Sequence, residues 1–141
     1  MATAIFIVVA LFVWHFFGRG QSSAQAGPWY QGASGYEQAL SQQRSSGRPI
    51  LLYFHTEWCG YCKRLERDVL STPAFEQRYG SLLKVKLNPD SSGAEHKLAK
   101  DYGIRGFPTL FVVTAGTPGE AIVGYGSADN FYDRLQQAAR N

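Results

Sequence analysis

The 141-residue chain is poor in the features that would settle its class quickly. It has two cysteines, one methionine and no block of basic residues. Two cysteines cannot build a disulfide framework, so an apolar core must hold the fold. Spaced as Cys59-x-x-Cys62, they read as a redox motif or as half of a metal site. A metal would need two further ligands. Neither His55 nor His96 has zinc-finger spacing from the pair, so no metal is expected. The net charge of +3 is spread along the chain without a Lys/Arg cluster, and nucleic-acid binding is not expected.

The one long apolar run is Ala4 to Phe17, interrupted only by His15. As a helix, residues 2–17 would span roughly 24 Å, short of a typical hydrocarbon core and long for a signal segment. Trp14, Phe16, Phe17 and Arg19 suit an interfacial end. A basic stretch before the run is lacking. Ala24-Gln25-Ala26 offers a signal peptidase a cleavage site before Gly27, though far from the run. Residues 1–18 are therefore expected to form a membrane anchor or signal segment, and residues 19–33 a flexible linker. Arg19 alone argues for a cytoplasmic domain. Export is expected instead, because a cytosolic redox domain gains little from such a leader.

Residues 34–141 carry the pattern of one compact domain. Ser34 and Glu37 form a capping box for a first helix with Tyr36, Ala39 and Leu40 on its apolar face. Ile50 to Phe54 is continuously apolar and reads as a strand buried on both faces. After Cys62, Leu65, Val69 and Leu70 have helical spacing. Between them, Lys63, Arg64, Glu66, Arg67 and Asp68 read as a solvated face. Thr72-Pro73 restarts a helix. Leu82 to Leu87 is a second strand, and Ala94 to Tyr102 a helix stopped by Gly103. Thr109 to Val113 is a third strand, and Ala115 to Gly119 a hairpin-type turn. Glu120 to Val123 is a fourth strand, and Ser127 caps the last helix. Two helical crossovers followed by a hairpin predict an α/β fold: a four-stranded mixed sheet with helices on both faces.

Trp58-Cys59-Gly60-Tyr61-Cys62-Lys63 resembles the active-site signature of the thioredoxin superfamily. Lys86 to Asp90 resembles its central strand and exit. Tyr102 to Leu110, with Gly106-Phe107-Pro108-Thr109, resembles its second signature, and Gly124 matches the glycine of its last strand. The resemblance spans Ser34 to Arg140, and within the superfamily it includes exported thioredoxin-like domains. It implies a thioredoxin-like fold and a thiol-disulfide oxidoreductase cycling between dithiol and disulfide at Cys59 and Cys62, with no other cofactor. Cys59 would be the exposed nucleophile and Cys62 the shielded resolving thiol. Trp58, Gly60, Tyr61, Gly106, Phe107, Pro108 and Gly124 would receive an extended substrate segment, with Pro108 in the cis form. The implied partners are proteins bearing disulfides or thiols and a redox partner protein. The domain is expected to be a monomer outside the cytoplasm, tethered through residues 4–17 if the leader is retained.

Two departures bear on tuning. Tyr53 stands where the family carries a buried acid, while its lysine partner is kept as Lys86. The hydroxyl of Tyr53, Glu57, Lys86 or water would have to stand in as proton acceptor. Gly60-Tyr61 replaces the Gly-Pro of thioredoxin, and the dipeptide between the cysteines tunes redox poise. Reduction of protein disulfides is the favoured reading. Isomerase or oxidase activity, or a non-catalytic binding module, are the alternatives.

Overall fold

The computed structural model describes residues 27–140. The apolar leader and most of the linker lie outside the described residues. Among the described residues no helix is long and apolar enough to cross a membrane.

The central strand is β2 (Ile50–Phe54), and all five of its residues are fully buried. It lies parallel to β3 (Leu83–Leu87), with Leu52 opposite Val85 and Tyr53 opposite Lys86. On its other side it lies antiparallel to β4 (Thr109–Thr114), with Phe54 opposite Thr109. Central strands covered on both faces need continuous apolar sequence, which is what Ile50 to Phe54 supplies.

Two-residue strands extend the expected four. At one edge β1 (Tyr30–Gln31) pairs in parallel with β3, inside the stretch read as linker. At the other, β5 (Thr117–Pro118) and β6 (Ile122–Val123) both pair antiparallel with β4. They act as one interrupted edge strand. The turn into it is only Ala115-Gly116, both at positive φ (49° and 80°), the left-handed conformation that a tight hairpin requires.

Helix α1 (Gly32–Ser46) begins before Ser34, and Gln31 rather than Ser34 holds the cap position without a side-chain bond. Pairing of β1 with β3 fixes the chain up to Gln31, so the helix turns off directly from the sheet edge. Helix α2 (Gly60–Leu65) continues into a π-helical turn (Glu66–Leu70), where the Ser71 N–H bonds the Glu66 carbonyl at 2.9 Å. Then come α3 (Pro73–Tyr79), α4 (Gly93–Asp101) and α5 (Ala128–Ala138), capped by Thr72, Ser92 and Ser127 respectively.

Alternate residues of β2 feed two cores. Leu51 and Tyr53 pack with Leu65, Val69, Phe75, Phe131 and Leu135 from α2, its π turn, α3 and α5. Ile50, Leu52 and Phe54 pack with Ala39 and Ala99 from α1 and α4. The C-terminal end of β2 is thereby locked between two helical layers, and the cysteine pair follows directly from it.

Candidate active site

Cys59 occupies the cap position of α2, with extended backbone (φ −82°, ψ 102°). Its Sγ accepts the Cys62 backbone N–H at 3.1 Å. Cys59 and Cys62 are joined as a disulfide, with Cα atoms 5.2 Å apart. A sulfur at this position meets unpaired helix N–H groups and the positive end of the helix dipole, both of which favour a thiolate.

Cys59 is less open than expected, at 6% exposed, against 1% for Cys62. Its sulfur is bonded to that of Cys62 and also takes the Cys62 N–H, which turns it toward the first turn of α2. Cys59 is still the more accessible of the two.

The exposed surface comes from the neighbouring residues. Trp58 is 71% exposed and Tyr61 58%. The Trp58 indole stands edge-on to Phe107, with ring centroids 5.9 Å apart. Its Nε1–H donates to Asp90 Oδ2 at 2.9 Å, and the Asp90 N–H is in turn held by Asn88 Oδ1 at 3.0 Å. The loop after β3 thus orients the tryptophan beside the cysteines. The Phe107–Pro108 peptide bond is cis. The Gly124 N–H bonds the Pro108 carbonyl at 2.8 Å, and Gly124 sits at φ 75°, a conformation glycine adopts without steric cost. A side chain on Gly60 or Gly106 would meet nothing within 4 Å, so both face open space. The structure therefore brings Trp58, Gly60, Tyr61, Gly106, Phe107, Pro108 and Gly124 to the same end of the sheet as the cysteines.

Beneath the pair lies the position where an acid was missed. The Tyr53 hydroxyl donates to Glu66 Oε1 at 3.0 Å, and Lys86 Nζ lies 2.9 Å from the same oxygen. The acid is present, then, but arrives from the helix instead of the strand. Glu66 follows Cys62 by one turn, its backbone N–H bonding the Cys62 carbonyl. The sequence pattern assigned Glu66 to the solvated face. It turns inward because Lys86 and Tyr53 both offer it hydrogen bonds, and its side chain is 31% exposed. A lysine kept beneath the site without its usual acid was the available signal, since a half-buried charge needs a partner. Burial first, then the Glu66 carboxylate, push the Tyr53 phenol well above its usual value, so it remains a neutral donor.

Glu57 is exposed and, with Lys86 and His55, lines a polar cavity of about 310 Å³. Asp90 and His55 are further residues that the sequence reading left without a role at the site. Among the described residues no group of three or more His, Cys, Asp or Glu side chains could hold a metal ion.

A disulfide at a helix N-terminus, set beside a cis-proline loop at the end of a central strand, defines the class: a thioredoxin fold with a dithiol-disulfide site. The comparisons place the chain within it. The Thioredoxin-like domain family matches residues 36–139, and the chain belongs to that family. The probable thioredoxin-2 of Caenorhabditis elegans is 42% identical over 84 residues, covering 57% of this chain and 50% of that protein. The thiol:disulfide interchange protein DsbD 1 of Pseudomonas aeruginosa is 28% identical over 137 residues, covering 89% of this chain and 23% of that protein. The chain thus spans half or less of the length of these curated relatives. Among solved structures, the oxidised C-terminal domain of Neisseria meningitidis DsbD has a TM-score of 0.68 at 23% identity, covering 79% of this chain and 99% of that one. A Thermus thermophilus thioredoxin has a TM-score of 0.68 at 26% identity, covering 82% and 88%.

Proposed function

We propose that the chain is a thiol-disulfide oxidoreductase that reduces protein disulfides outside the cytoplasm. The observation that carries this reading is the Cys59–Cys62 disulfide at the start of α2, bordered by the exposed Trp58 and Tyr61. The likeness of most of the chain to a thiol:disulfide interchange protein supports it. The apolar run from Ala4 to Phe17 supports the location.

In the reduced form, Cys59 attacks a substrate disulfide as a thiolate favoured by the helix end. One substrate sulfur leaves, and Cys59 is joined to the other. Cys62 then loses its proton and attacks Cys59 Sγ. The Cys59–Cys62 bond forms, and the substrate departs with both sulfurs reduced. Two electrons pass from the dithiol to the substrate, and a partner protein restores the dithiol. Trp58 and Phe107 supply the apolar contact for the substrate, and the open faces of Gly60 and Gly106 let its backbone approach. Glu66, carried one turn beyond Cys62 and tied to Tyr53 and Lys86, is the acceptor for the Cys62 proton.

Equilibration against a glutathione or dithiothreitol couple tests the direction. A potential near that of thioredoxin, about −270 mV, is expected. A value near that of strong oxidases, about −120 mV, would overturn the reductase reading in favour of oxidation or isomerisation. Retention of biological function by a Cys59→Ala variant would instead show a binding module.

A further inference from the structure

His55 takes no part in the thiol chemistry above, yet it is buried beside it. The residue is 7% exposed and is fixed at the end of β2 by its backbone N–H, which bonds the Leu87 carbonyl at 3.0 Å. Its ring stacks on Tyr53, with centroids 5.3 Å apart and planes inclined by 29°. Tyr53 bonds Glu66, and Glu66 bonds Lys86. His55 and Lys86 both line the polar cavity, together with Gln31, Glu57, Asn88 and Glu95. Glu57 is exposed, so the cavity reaches water. Cys62 itself is 1% exposed, while the Lys86 and Glu66 side chains of the cluster are 24% and 31% exposed.

We propose that His55 relays the Cys62 proton from the Tyr53–Glu66–Lys86 cluster to solvent through this cavity. The proposal rests on reading Cys59 and Cys62 as a redox pair. In the resolving step the Cys62 sulfur forms a bond to Cys59 Sγ as the Cys59–substrate bond breaks. The substrate sulfur leaves with the electron pair. The Cys62 proton passes to the Glu66 carboxylate and on to the neutral imidazole, which accepts on one nitrogen and releases from the other to water. The charged and titratable groups around His55 are Tyr53 from β2, Glu57 from the following loop, Glu66 from the π turn, Lys86 from β3 and Glu95 from α4. Burial, then the Lys86 charge, hold His55 below its usual 6.5, so the ring is neutral and able to accept at pH 7.

The experiment is a single turnover of the reduced protein with an aromatic disulfide that releases one coloured thiolate in each step. The second release reports the attack of Cys62. His55→Gln keeps a polar side chain that cannot carry a proton. It should slow the second release about a hundredfold at pH 7 and leave the first unchanged, the lower end of the range for lost proton transfer. The wild-type second release should fall through an inflection below pH 6.5, and His55→Gln should lack it. Should the variant fail to fold, the wild-type profile decides alone. A profile without that inflection, or a His55→Gln variant with the wild-type rate, would overturn the relay. Absence of any first release from wild type would overturn the redox reading itself.

Discussion

Replacing Tyr53 by phenylalanine removes one oxygen from a fully buried site. The lost bond is the 3.0 Å donation to Glu66 Oε1. Phenylalanine keeps the ring, its edge contact to Trp29 at 6.0 Å and its stacking on His55 at 5.3 Å, so no cavity opens. A hydrogen bond to a charged group contributes roughly 1.5–3 kcal/mol. Glu66 keeps Lys86 at 2.9 Å and is 31% exposed, so solvent replaces part of the loss. The expected destabilisation is about 1–2 kcal/mol by urea denaturation of the disulfide form, with an unchanged m-value. Because the phenol is held neutral far above its usual value, this loss should be constant from about pH 6 to 9. The Glu66→Gln variant and the double variant complete a cycle, whose coupling energy should be about 1 kcal/mol. A loss under about 0.5 kcal/mol with no coupling would refute the bond. A loss above about 4 kcal/mol would mean that the ring itself had moved. The same substitution should slow thiol exchange, because it removes one of the two groups that hold Glu66 in place.

Three further outcomes follow from other contacts. Lys84 is a buried lysine, its side chain 1% exposed, whose Nζ is held by both carboxylate oxygens of Glu76 at 2.5 and 2.7 Å. Glu76→Ala strands that charge and should cost about 3–5 kcal/mol in chemical denaturation, while Lys84→Met, which leaves no buried charge, should cost less. His55 gives a pH signature in stability. Its folded pKa lies below the unfolded 6.5, so its contribution is complete above that value and is lost as pH falls through the folded one. His55→Gln should therefore flatten the loss of stability as pH falls below about 6.5. Trp58→Phe removes the donation to Asp90 at an exposed position. Stability should change by less than about 1 kcal/mol, while KM for a protein disulfide rises several-fold with kcat held.

The strand Ile50 to Phe54 was legible because a strand buried on both faces leaves an unbroken apolar run. The cysteine pair was legible because its spacing and its flanks agree. Edge strand β1 was not, since Tyr30-Gln31 carries no periodic signal and is recruited only by the free edge of β3. The inward turn of Glu66 was also hidden. Helical periodicity assigns a glutamate between Leu65 and Arg67 to solvent, and only the tertiary placement of Lys86 and Tyr53 draws it beneath the site. The bond between Trp58 and Asp90 joins residues far apart in sequence, which no local pattern reports.

The central claim is that Cys59 attacks and Cys62 resolves. Its most direct measurement is mass spectrometry of covalent complexes formed by Cys62→Ala and by Cys59→Ala with disulfide-bearing proteins. The account predicts that Cys62→Ala accumulates mixed disulfides through Cys59, released by a small thiol, and that Cys59→Ala accumulates none. Complexes on Cys59→Ala alone, or on neither variant, would contradict it.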